Sequence, residues 1–262
     1  TGAGSFKEAV AIGAEVQHAL RDVVRSRYGQ DAVSVGEEGG FAPSVRDSGE
    51  ALEVLMQAVR QSGHADKVRI AAGAAASELY DSGTGLYDLD LEGTGSGAGA
   101  TSEQLAALYR AWFSRYPLAW IEDPFHQEDW GAYSRFASEC GAEQQIVGGD
   151  LLATNPSRIR KALDARACHA LLLAPGQAGT VTEALEAANL AQRAGWSVVV
   201  SHRSGETEDA FIADLAVGLR SGQIKAGAPC RSERLAKYNE LVRIEEALGP
   251  AASFAGRAFR RP

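Results

Sequence analysis

A chain of 262 residues with 45% hydrophobic and 23% charged side chains has an ordinary globular composition and the length for one large α/β domain or two small ones. Its formal net charge of -8 argues against general nucleic-acid binding, because most of the surface would repel a phosphate backbone. Cys140, Cys168 and Cys230 stand far apart without C-x-x-C spacing, so neither a disulfide framework nor a zinc site is indicated, and a reducing, cytoplasmic compartment is the expectation.

No apolar run approaches the roughly 18 residues that a membrane span requires, and the N-terminus carries no signal-peptide core, so no membrane contact is expected. The basic tail Arg257, Arg260, Arg261 reads as a solvated end. The sequence starts at Thr1 rather than methionine, from which we expect residues missing or removed upstream.

Residues 1–66 read as a helical and loop entry segment. Ser5 to Tyr28 places Phe6, Val10, Ile12, Val16, Leu20, Val23 and Val24 at near-helical spacing, with a capping box from Ser5 and Glu8 and a stop at Gly29. Val33 to Val35 leads into G-E-E-G-G, where Gly36, Gly39 and Gly40 make a tight loop presenting Glu37 and Glu38. Asp47 to Gln61 is a second helix with Leu52, Leu55, Met56 and Val59 inward.

Residues 67–262 read as six strand–helix units. The strands are Val68–Gly73, Leu118–Glu122, Gln145–Gly149, His169–Ala174, Ser197–Ser201 and Gln223–Ala226. The helices are Thr101–Tyr116, Trp130–Cys140, Asn155–Ala165, Thr180–Ala194, Thr207–Ser221 and Ser232–Leu248, and a Gly-rich insertion, Gly93 to Ala100, reads as mobile. Short continuous apolar strands alternating with helices specify an α/β fold with a parallel sheet, closed as a barrel or open and doubly wound. No G-x-G-x-x-G follows a strand, which counts against a dinucleotide fold.

Chemistry in such a barrel sits at the C-terminal ends of the strands. Those ends are Gly73, Glu122, Gly149 with Asp150, Ala174, His202 with Arg203, and Lys225. The stretch S-H-R-S-G-E-T-E-D, Ser201 to Asp209, puts a histidine, an arginine and a serine at a strand mouth, a set suited to a phosphorylated anion. His64, His126 and His169 have no partner spacing and read as structural or surface residues. Trp112, Trp120, Trp130 and Trp196 read as packing residues, and Arg231 to Lys237 as basic helix surface.

Several stretches resemble the enolase family of phosphopyruvate hydratases: G-E-E-G-G-F-A-P (36–43), I-E-D-P-F-H-Q-E-D-W (121–130), A-T-N-P-S-R-I (153–159), V-S-H-R-S-G-E-T-E-D-A-F-I-A-D-L (200–215) and G-Q-I-K-A-G-A-P-C-R-S-E-R-L-A-K-Y-N-E-L (222–241). The resemblance implies an enolase-type, TIM-like barrel, incomplete here because the N-terminal domain and first two barrel strands are absent. A protein partner or a missing segment is then expected to cover the opening.

Family members use a lysine to remove the proton α to the carboxylate of 2-phosphoglycerate while two Mg²⁺ ions stabilise the dianion. Carried over by position, the metal carboxylates belong at 73, 122 and 149 and the base lysine at 174; this chain has Gly73, Glu122, Gly149 and Ala174. Glu38 stands at the acid/base position beside His202, Arg203 and Ser204 at the phosphate, and Lys225 at the substrate carboxylate, and the resemblance implies packing and pairing roles for Arg231 to Lys237. Asp150, alternating to the opposite face of its strand, is not expected to replace the lost ligand. The resemblance therefore implies weak or absent Mg²⁺ binding and a pseudoenzyme that keeps a phosphoanion-binding rim and serves a structural or assembly role. The alternatives are an active enolase on 2-phosphoglycerate and a fragment without independent role.

Overall fold

The computed structural model describes residues 1–90, 99–140 and 144–261. The chain divides into two compact units, Thr1–Val68 with Val200–Pro262, and Arg69–Val199.

The first unit opens with α1 (Phe6–Tyr28) and α2 (Ser48–Gln61). Ser5 caps α1 by accepting from the Glu8 N–H at 3.1 Å, but Glu8 turns its carboxylate to the Gly4 N–H and to Lys67 instead of closing the expected box. Gly29, at φ +91, ends the helix by donating to the Arg25 carbonyl. Val23 and Val24 of α1 pack on Val54 and Ala58 of α2, with Leu20, Tyr28, Val33 and Phe41 around them. Leu52, Met56 and Val59 are buried as expected, while Leu55 is only partly so. The same unit holds α8 (Phe211–Gly218), β8 (Ile224–Lys225) and α9 (Ser232–Leu248).

The second unit contains β1 (Ile70–Gly73), β2 (Tyr80–Asp81), β3 (Leu86–Tyr87), α3 (Ser102–Arg115), β4 (Leu118–Glu122), α4 (Trp130–Glu139), β5 (Gln145–Gly148), α5 (Pro156–Ala165), β6 (Ala170–Leu173), α6 (Pro175–Ala178) and α7 (Val181–Arg193). β7 (Ser197–Ser201) follows α7, and its last two residues belong to the first unit. Val147, Ala170, Leu172 and Val199 make one sheet-centred cluster with Trp120 packed on it. On the helix side, Phe125 meets Tyr133 at 5.5 Å and Phe136 at 5.6 Å between ring centroids, both edge-on. Ala184, Ala187, Ala188 and Ala191 are fully buried on α7, a small-residue face that allows close packing.

The long strands form a parallel sheet ordered β1-β4-β5-β6-β7-β8, so all six expected strands are present in an α/β fold. Several boundaries differ from expectation. β1 begins at Ile70 rather than 68, β8 covers only two residues, and β5 stops at Gly148. α8 starts at Phe211 rather than Thr207, because Thr207 Oγ1 accepts from the Asp209 N–H and Asp209 Oδ1 from the Phe211 N–H, tying the approach into turns.

Additions include α6 and the β2–β3 hairpin, whose turn is set by Asp81 accepting from the Gly83 N–H at 2.8 Å and by Gly85 at φ +73. Of the expected mobile insertion, residues 93–98 lie outside the described residues, and Ala100 bridges to Tyr87. Among the described residues no helix is long and apolar enough to cross a membrane.

Candidate functional site

In the first unit, β7 and β8 pair Val200 with Ile224 and Ser201 with Lys225, and the His202 N–H donates to the Lys225 carbonyl at 2.9 Å. This register brings His202 and Lys225 to one end of neighbouring strands. The G-E-E-G-G loop closes through the Gly39 N–H on the Gly36 carbonyl and the Gly36 N–H on the Gly40 carbonyl, with Gly39 at φ +79. Glu38 leaves that loop with Oε2 at 3.3 Å from His202 Nε2. The predicted residues Glu38, His202, Arg203, Ser204 and Lys225 thus lie within one unit.

His202 is only 2% exposed, and Glu38 Oε2 stands 3.3 Å from its Nε2, outside aligned hydrogen-bond geometry. That ring nitrogen nonetheless holds the Glu38 carboxyl down to about 2 from the ordinary 4.5, against the upward push of partial burial and with help from Lys225 and Arg234. A depressed folded pKa gives stability that is present above about 4.5 and lost as pH falls toward about 2. Half the Glu38 side chain is exposed, so the effect is small. In urea melts from pH 5 to 2, Glu38→Gln should show a shallower loss of stability than the native chain; parallel curves would remove Glu38 from this role.

The Arg203–Thr207 loop is held on both sides. Glu37 Oε1 accepts from the Gly205 N–H at 2.7 Å, and Glu206 Oε1 from the Arg203 N–H at 3.0 Å. Glu206 is paired in turn with Lys237 at 2.9 Å, and Lys237 also donates to the Thr207 and Glu233 carbonyls. Burial pushes the Glu206 carboxyl up, but the Arg203 N–H and Lys237 outweigh it and leave the pKa lowered. Arg203 and Ser204 are exposed at the tip.

Arg234 and Lys237 correct the expectation of a basic helix surface: both are completely buried. Arg234 donates from Nη1 to His202 Nδ1 at 2.6 Å and to the Arg203 carbonyl, and from Nη2 to the Glu37 carbonyl. A signal was available in the spacing, since Arg234, Lys237 and Leu241 recur at i, i+3, i+7 and are the buried residues of α9.

The second unit carries the positions that hold metal and base in the resembled family. Gly73 ends β1 beside Glu122 of β4, its register partner. Glu122 is buried. Asp123, at φ +45, turns its carboxylate to accept from the Gly149 N–H at 2.9 Å, the Asp150 N–H at 2.7 Å and the Leu151 N–H at 3.4 Å, while the Tyr133 hydroxyl donates at 3.2 Å. Burial raises the Asp123 carboxyl to about 6 despite these N–H donors, and the charges of Glu122 and Asp150 add to the rise. This buried carboxylate escaped sequence reasoning.

The fit of a divalent cation can be tested on these residues. Gly73 and Gly149 offer no side-chain donor, and a Cβ at 149 would stand 2.5 Å from Asp123 Oδ2 and 3.1 Å from Leu172 Cδ2. Asp150 lies beyond the end of β5, so strand alternation does not decide its direction; its N–H goes to Asp123. Among the described residues, no group of three His, Cys, Asp or Glu side chains is placed to hold a metal. Mg²⁺ takes oxygen ligands, commonly one or two carboxylates completed by water and substrate oxygens, and of the three family positions only Glu122 offers a carboxylate here. Ala174 is fully buried and caps α6, its N–H donating to Thr154 Oγ1 at 3.0 Å.

The other candidates are dispersed. His64 Nε2 meets Glu15 at 2.5 Å, His126 stacks on Tyr80, and His169 Nδ1 accepts from the Ile146 N–H. Trp130 lies under Lys161 and Arg158 as a cation–π platform.

Parallel strand–helix units with titratable residues at the strand ends define an α/β barrel-type domain. The family description "Enolase, C-terminal TIM barrel domain" matches residues 1–262, and the chain belongs to that family.

Proposed function

We propose that this chain is an enolase-family pseudoenzyme, which binds a small phosphoanion such as 2-phosphoglycerate at the rim of Glu38, His202, Arg203, Ser204 and Lys225 without dehydrating it. The observation that carries the reading is the 2.5 Å approach between a Cβ at 149 and Asp123 Oδ2, together with Gly73 and Ala174 at the other positions. A positioned general base contributes about 10² to 10⁴ in rate, and metal stabilisation of developing charge adds several kcal/mol. The two act on the same dianion, so losing one already leaves dehydration too slow to serve.

The rim keeps donors for an anion in His202 Nε2 and the side chains of Arg203 and Ser204. Lys225 is kept for the carboxylate end. The role left for such a domain is contact with protein. β1 and β8 stand at the two ends of the sheet order, and open strand edges of this kind pair with a further segment or a partner. Mg²⁺ binding is weak or absent in this reading.

A coupled assay for phosphoenolpyruvate formation at millimolar Mg²⁺ tests the proposal. Turnover indistinguishable from the protein-free control is expected. A rate within about tenfold of the enzyme median of roughly 10 s⁻¹ would establish the active-enolase reading instead. Calorimetric titration with inorganic phosphate checks the rim, where saturable binding that disappears in Arg203→Ala is expected.

A further inference from the structure

The orientation of His202 has a cause outside the residues that face the anion. We infer that Arg234 is a positioning residue: its guanidinium holds the His202 imidazole as the Nε2–H tautomer, and so keeps a fixed donor turned toward Glu38 and the rim.

The step rests on donor and acceptor chemistry. A guanidinium has five N–H donors and no acceptor, and it stays charged in proteins. With Arg234 Nη1 at 2.6 Å from His202 Nδ1, only the ring nitrogen can accept. Nδ1 therefore presents its lone pair, and the ring proton resides on Nε2. Both side chains are buried, so water does not compete for the bond.

The arginine is itself fixed by the loops that border the rim. Its Nη1 donates to the Arg203 carbonyl at 3.1 Å and its Nη2 to the Glu37 carbonyl at 3.2 Å, so the guanidinium plane is set by the main chain on either side of His202. These bonds go to two carbonyls and an imidazole rather than to a carboxylate. A buried cation used only as a structural tie is normally repaid for its desolvation by an ion pair. Here that cost supports an oriented ring. His202 Nε2 is left as a buried donor without an aligned acceptor, which is the condition of a group held ready for a ligand oxygen.

The inference concerns the same rim as the proposed phosphoanion reading, but its first readout needs no ligand. Two-bond ¹H–¹⁵N correlation spectra of the full chain at pH 7, with the ring assigned by its loss in His202→Gln, report the tautomer directly. The Nε2–H form is expected; an Nδ1–H form, an imidazolium or an averaged mixture overturns the inference. Arg234→Gln retains an N–H donor and should keep the Nε2–H form, whereas Arg234→Met should give a mixture and bind inorganic phosphate about tenfold more weakly. If Arg234→Met does not fold, the native and Arg234→Gln spectra decide the matter; if it folds and keeps the pure Nε2–H form, the inference fails. A native chain in the Nε2–H form that shows no phosphate binding upholds the positioning role and removes the phosphoanion reading, so the two failures are distinguishable.

Discussion

Gly149→Asp is expected to destabilise the protein by about 3 kcal/mol and to bring no Mg²⁺ binding with it. The substitution writes back a carboxylate at a position where the family has a metal ligand, and on the sequence alone it looks like a repair. The geometry predicts otherwise. The added Cβ would stand 2.5 Å from Asp123 Oδ2 and 3.1 Å from Leu172 Cδ2. An oxygen at the end of a side chain can often move away at little cost, but this one accepts from the Asp150 N–H at 2.7 Å, and its partner oxygen from the Gly149 N–H and the Tyr133 hydroxyl. Displacing it leaves buried donors unpaired, at about 1–3 kcal/mol for each group left unsatisfied.

A second carboxylate beside Asp123 adds repulsion to a group that burial already raises to about 6. Gly149→Ala should cost about 1–3 kcal/mol from crowding alone, which isolates the charge part. Urea denaturation measures both variants, and calorimetry with Mg²⁺ follows the aspartate. Native-like stability with stoichiometric Mg²⁺ binding would show that the position still accepts a ligand, and would remove the main support for a pseudoenzyme.

The residues legible in the sequence were those whose environment is set by their own neighbours. L-A-W-I-E and S-V-V-V-S read as strands because residues buried on both faces leave unbroken apolar runs, and both strands have the expected ends. The start of α5 fell within one residue of expectation, at Asn155 and Pro156, where the cap chemistry is local. Glu38 and His202 could be placed together because the motifs on both sides of them are long.

What was not legible depends on distant chain. Asp123 finds its N–H partners only because its φ of +45 turns it toward the loop after β5, and no spacing encodes that meeting. Arg234 and Lys237 were read as exposed because charge usually seeks water. Their burial is made tolerable by main-chain carbonyls of loops that lie 30 to 197 positions away in sequence, and only their alignment with Leu241 hinted at it. The start of α8 failed for the opposite reason: Thr207 and Asp209 bond their own main chain, a local competition that apolar periodicity does not register.

Gly227→Ala should cost about 3 kcal/mol and disturb the rim from behind. Gly227 has φ +91, and a Cβ there would lie 2.8 Å from Arg234 Cδ and 2.9 Å from the Glu38 carbonyl oxygen. Neither neighbour can yield freely. The Glu38 carbonyl accepts from the Ala228 N–H at 2.9 Å, and Arg234 is held by its bonds to His202, Arg203 and Glu37. The Gly227 carbonyl also accepts from the Tyr238 hydroxyl, which resists movement of the glycine itself. Gly29→Ala supplies the control, because Gly29 has the same φ of +91 and nothing within 4 Å of its Cβ position. A positive φ costs each variant about 1–3 kcal/mol of backbone strain, and crowding against Arg234 and the Glu38 carbonyl is present only in Gly227→Ala. Equal destabilisation in thermal or urea melts would mean that Glu38 and Arg234 give way without cost, and the picture of a rigidly backed His202 would fail with it. A larger loss in Gly227→Ala, accompanied by weaker phosphate binding that Gly29→Ala does not share, ties the conformation of one glycine to the donor geometry of the anion rim.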